Sequence, residues 1–73
     1  MTDVIYPKYY HSRAGDSDAN WIYARMRVIP ADKQQEVADE YERIYRTTVR
    51  KDARGAANTY LHNIAKQYRN KAA

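Results

Sequence analysis

Asp32 to Lys51 reads DKQQEVADEYERIYRTTVRK, the longest segment of the chain with one uninterrupted period. Val37, Tyr41, Ile44 and Thr48 follow one another at steps of four, three and four, and Ala38 and Tyr45 widen the stripe. Apolar residues at that spacing share one face of an α-helix, which must be covered to be stable. The charges are sorted along the same segment: acids dominate from Asp32 to Glu42 and bases take over from Arg43. A helix dipole favours that order, with negative charge at the amino end and positive charge at the carboxyl end. Asp39 with Arg43 and Glu42 with Arg46 stand four apart, acid first, and are expected to pair along the exposed side.

Working toward the amino terminus, Pro30 forces its predecessor out of helical geometry and closes an earlier helix. Ile22, Met26 and Ile29 form that helix's apolar face, with Trp21 and Val28 on the adjoining stripe. Asp16, Ser17 and Asp18 carry side-chain oxygens suited to capping its first turn. A short helix over Ser17 to Ile29 is expected. Toward the carboxyl terminus, Thr47, Thr48 and Val49 are poorer helix formers, and Gly55 is a plausible terminator or kink. A third helix is expected from about Asp52, or from after Gly55, to Arg69. Ala57, Leu61, Ile64 and Tyr68 trace its stripe, Ala53 and Tyr60 run alongside, and Asn70 to Ala73 should fray. The expected fold class is all-α: a helical hairpin with a short first helix packed across it, one domain over residues 16–73.

Residues 1–15, MTDVIYPKYYHSRAG, have no helical period, and Pro7 interrupts their apolar cluster. They read as an extended or disordered arm. Val4, Ile5, Tyr6, Tyr9 and Tyr10 are too apolar for an ordinary solvated tail, so part of the arm should lie on the helices or on a partner.

A chain of 73 residues buries only about 60% of the surface its unfolded form exposes and is marginal on its core alone. Disulfides, a metal or oligomerisation are the usual supports. Cysteine is absent, and His11 and His62 lie far apart with no ligand pattern around either. Neither a metal nor a cofactor is expected, and self-association as a homo-oligomer is the support that remains. No apolar run approaches the roughly 18 residues of a membrane span, and no signal-peptide pattern opens the sequence. A cytoplasmic protein is expected.

No catalytic constellation stands out. Glu36, Asp39, Glu40 and Glu42 fall on the polar side of the central helix, where carboxylates are solvated charges. His62 has no nucleophile or orienting acid near it in the pattern. With only Gly15 and Gly55 there is no phosphate-cradling glycine loop. The chain reads as not an enzyme. Its net charge of +4 is uneven: the middle is acidic and the end basic, with Arg46, Arg50, Lys51, Arg54, Lys66, Arg69 and Lys71 against Asp52. Three meanings fit that asymmetry. It can complement helix dipoles and aid solubility, pair the acidic part of one copy with the basic part of another, or set Arg50, Lys51 and Arg54 on phosphates with tyrosines available to stack. A helix-turn-helix with Gly55 as the turn would put Arg50, Lys51 and Arg54 at positions that should be apolar or small, so major-groove reading is not expected.

Eight tyrosines, one tryptophan and no phenylalanine suit a thin core whose rings keep their hydroxyls at an edge. The surplus rings suit an interface. SDANWIYARMRVIP, ADEYERIYR and ARGAANTYL together, on so short a chain, resemble the small accessory proteins encoded in the early regions of lambdoid and related enterobacterial bacteriophages. That resemblance implies a small non-enzymatic factor that modulates a host or phage process by binding, in the bacterial cytoplasm; it carries no site residues. The residues expected to make contact are Tyr6, Tyr9, Tyr10, Trp21, Arg25, Arg50 and Arg54. The first three have no helical core role, and Trp and Arg are enriched at binding hot spots. A protein partner is the first expectation, and sequence-tolerant nucleic-acid binding by the basic carboxyl-terminal half is the alternative.

Overall fold

The computed structural model describes residues 4–72; Met1 to Asp3 of the expected arm and Ala73 of the expected frayed end lie outside them. The described chain is mostly helical, with α1 over Ala19–Met26, α2 over Ala31–Thr47 and α3 over Arg50–Ala72. Ahead of them lies a minimal antiparallel pair, β1 at Ser12–Arg13 and β2 at Asp16–Ser17. α2 packs along α3, and α1 packs against α3.

The core is the set of apolar faces read from the periodicity. Ile22, Met26, Ile29, Val37, Ala38, Tyr41, Ala57 and Leu61 form one buried cluster. Each large aliphatic in it contributes about 1.5–3 kcal/mol by leaving water. Trp21, Val28, Ile44, Tyr45, Tyr60, Ile64 and Tyr68 pack around it, half-buried. Rings dominate that outer shell because a chain this small encloses few positions fully.

Element ends differ from expectation in three places, each for a local reason. α1 is shorter than Ser17 to Ile29, because Ser17 pairs in β2 and Arg27 to Ile29 turn instead of continuing. α2 stops at Thr47, where Thr48 turns extended at φ −88°, ψ 147°. Consecutive β-branched residues Thr47, Thr48 and Val49 favour that exit, so the break falls there and not at Gly55. α3 starts at Arg50 and runs through Gly55 and on through Asn70 and Lys71. The expected Asp39–Arg43 pair is replaced: Arg43 Nη2 lies 2.6 Å from Glu40 Oε2, while Asp39 accepts from Gln35 Nε2 at 2.9 Å. Glu42 and Arg46 do approach, at 3.7 Å.

The amino-terminal segment is fastened to the helices. Val4, Ile5 and Tyr10 lie on the core, and Pro7 is buried. Gln34, only 6% exposed, does much of the fastening. Its Nε2 donates to the carbonyls of Met26 at 3.3 Å and Ile29 at 3.0 Å, and its Oε1 accepts from the Ile5 amide at 3.1 Å. Carbonyls at and just beyond a helix's carboxyl end lack intrahelical donors, so one side chain braces the turn that follows α1 and pins the arm. The hairpin reverses at Ala14–Gly15, where Gly15 takes φ 78°, a conformation that glycine adopts without a Cβ clash.

Gly55 sits exposed inside α3, and a Cβ added there would meet nothing within 4 Å. Glycine in a helix interior costs about 0.5–1 kcal/mol relative to alanine. Gly55→Ala should therefore stabilise the protein by about that amount, raising the melting temperature by several degrees. Thermal denaturation followed by circular dichroism checks this, and a lowered melting temperature would show that α3 is not a regular helix at residue 55.

Candidate binding cleft

Asp18 organises the region where the hairpin meets the helices. It stands at the N-cap position of α1, yet its side chain makes no capping bond. Ser17 Oγ instead accepts from the Ala19 amide at 3.2 Å. The Asp18 carboxylate, in a residue 7% exposed, is turned toward α3. Arg54 donates to it twice, Nε to Oδ2 at 2.9 Å and Nη2 to Oδ1 at 2.7 Å. Asn58 Nδ2 donates to Oδ2 at 3.0 Å. The Tyr41 hydroxyl donates in turn to Asn58 Oδ1, and the Asp18 amide donates to the His11 carbonyl at 3.0 Å. Through its carboxylate, its amide and the shared partner Asn58, Asp18 thus links the hairpin, α1, α2 and α3. The two-pronged Arg54 bond is the arrangement in which guanidinium–carboxylate recognition is strongest. It holds the Asp18 carboxyl below the usual carboxylate range, against the opposing effect of burial. Burial likewise raises the Tyr41 phenol above its ordinary range.

Beside this clasp lies an open cleft of about 750 Å³, lined by Tyr10, His11, Ser12, Arg13, Asp16, Tyr45, Arg50, Lys51 and Arg54. Its lining has four permanent cations against the single carboxylate of Asp16. His11 Nε2 lies 3.1 Å from Asp16 Oδ2. Arg54 is committed to Asp18, although its side chain stays 46% exposed. Arg50 and Lys51 are exposed and make no salt bridge among the described residues. They occupy the first turn of α3 with only Asp52 as an acid there. Helix-dipole complementarity, which fits Arg46 in the last turn of α2 and Arg69 and Lys71 in the last turn of α3, fails for this pair. Cations at a helix amino end are disfavoured by a few tenths of a kcal/mol or more.

The expected contact residues fall into two groups. Tyr10, Arg50 and Arg54 line the cleft. Tyr9 is not among the lining residues; it adjoins Tyr10 in the chain, is 50% exposed, and its ring centroid lies 5.4 Å from the guanidinium of Arg46. Tyr6, also exposed, tilts against Tyr10 with centroids 6.1 Å apart. Trp21 and Arg25 lie on α1, outside the cleft lining. The Arg25 guanidinium lies 4.3 Å from the Trp21 ring centroid, and Arg25 Nε is buried without a hydrogen-bond partner among the described residues. Cation–π attraction to the indole offsets part of that loss. His11, Ser12, Arg13, Asp16, Tyr45 and Lys51 are the lining residues absent from the expected contact set. For the hairpin residues among them the small-residue reversal Ala14-Gly15-Asp16 is the one signal, since strands of two residues show no period; Tyr45 and Lys51 carry the signals of the central helix's stripe and of the basic cluster. No family model, curated protein or solved structure matches the chain.

Because the Asp18 carboxyl is lowered in the folded protein, its contribution is present above the unfolded carboxyl pKa of about 3.9. It is lost as pH falls through the lower folded value. Asp18→Ala should cost about 1–3 kcal/mol at neutral pH, and the gap from the parent should shrink as the pH drops toward 3. Urea denaturation at several pH values reads this out. A gap that stays constant between pH 7 and 3 would mean that the carboxylate charge contributes nothing.

Proposed function

We propose that this chain is a small non-enzymatic interaction protein that docks onto another macromolecule through the cleft and its tyrosines. The observation that carries the reading is the convergence of Tyr10 from the arm, Arg13 from the hairpin, Tyr45 from α2 and Arg50 and Lys51 from α3 on one open surface. Arginine and tyrosine, the residue types that dominate this surface, are enriched at binding hot spots. In this reading α2 and α3 act as a helical hairpin with α1 laid across it, a rigid frame that holds the arm in place. Self-association and a role among phage-encoded accessory factors of the bacterial cytoplasm accord with the chain's small core and its sequence resemblance.

Site-specific photocrosslinking tests the docking surface without assuming what occupies it. A photoreactive residue at position 50, in the cleft, should yield a discrete crosslinked product in bacterial lysate. The same residue at position 67, where Gln67 is exposed on the distal half of α3, should not. Equal yields at both positions would place the docking surface elsewhere.

A further inference from the structure

We infer that the cleft takes the phosphodiester backbone of a single-stranded nucleic acid. The inference rests on reading the cleft as the docking site and names its occupant. Three features select this ligand. The cations come from separate elements, Arg13 from β1 and Arg50 and Lys51 from α3. That spread suits a row of phosphates better than one isolated anion. Arg50 and Lys51 are held where the helix dipole opposes them and no acid among the described residues neutralises them. A local preference broken without a structural return is the mark of a site kept for binding. A bound phosphate would reverse that cost, because it meets the two side chains and the positive end of the helix together.

The third feature is the set of aromatic rings. Tyr9 keeps half its surface open while Arg46 lies against its ring, and Tyr10 and Tyr45 line the wall. Bases of an unpaired strand stack on such rings whatever their identity, and arginine adds cation–π attraction. A duplex hides its base faces and is read by an element that protrudes into a groove. Here the cations line an open cleft between the hairpin and α3, and no helix or strand bearing them is isolated to enter a groove. Arg54 is not a phosphate ligand in this scheme; it is the post to which Asp18 holds the wall.

The test is titration of the full chain with a fluorescein-labelled 20-nucleotide oligothymidylate at several salt concentrations. Neutralising three phosphates should give a slope of log affinity against log salt of about −2. Arg50→Gln with Lys51→Gln should make that slope shallower by about 1.4, with the melting temperature unchanged or raised. Lys51→Gln alone should remove half as much and serves if the double variant is unstable. Tyr9→Ala should weaken binding several-fold or more while leaving the slope in place. Three results would overturn the inference: a slope the glutamine variants do not change, tighter binding of the matching duplex, or equal competition by polyglutamate of matched charge. The last, together with a protein crosslinked at position 50, would leave the docking site standing and give it to an acidic protein.

Discussion

The bond from Arg54 to Asp18 is the constraint on which the rest of this small fold depends. A chain without cysteine and with a thin core has few ways to hold an irregular amino-terminal segment against helices. Here one buried carboxylate, gripped by Arg54 and Asn58 and backed by the Tyr41 hydroxyl, joins residues 18, 41, 54 and 58 across every helix. Gln34 makes the complementary attachment at the other end of α1, joining Ile5 to the carbonyl of Met26, the helix's last residue, and to that of Ile29 in the turn beyond it. Both fastenings are polar, and both are shielded enough that losing a partner leaves a desolvated group behind. That asymmetry makes such bonds specify one arrangement even where their net contribution is modest.

The clasp also separates roles within what looks like one basic cluster. Arg50, Lys51 and Arg54 lie within two turns of each other, yet Arg54 is bound up in the fold while the other two face solvent at the unfavourable end of α3. Dipole complementarity accounts for the bases at the ends of α2 and α3 and leaves Arg50 and Lys51 over. Those two, with Arg13 and the tyrosines, make the cleft.

The helices were legible in the sequence wherever apolar spacing was strict. Ile22, Met26 and Ile29, Val37 and Tyr41, and Ala57 and Leu61 all lie in the core as their periodicity required. The junction of α2 and α3 was harder, because Gly55 looked like a breaker and the run from Thr47 to Val49 only like a weak stretch. A helix tolerates one glycine for about 1 kcal/mol, whereas the paired elements on either side of the turn at 48–49 settle its place. The cleft was half legible. Arg50, Arg54 and Tyr10 were singled out by type and position, but two-residue strands leave no pattern, so Arg13 and Asp16 could not be placed near them. Asp18 was read as a cap because local rules favour it, and a partner 36 residues away in α3 won instead. Gln34 carried no signal, since a buried amide in a polar run looks like any surface glutamine.

A double-mutant cycle on the clasp probes its central place most directly. Stability to urea is measured for the parent, Asp18→Ala, Arg54→Ala and the double variant at neutral pH and low salt. If the two side chains act as one fastening, the double variant is no less stable than the worse single variant, and the two losses fall well short of adding. If the losses simply add, the carboxylate and the guanidinium stabilise the protein independently, and the clasp is not what holds the hairpin to α3.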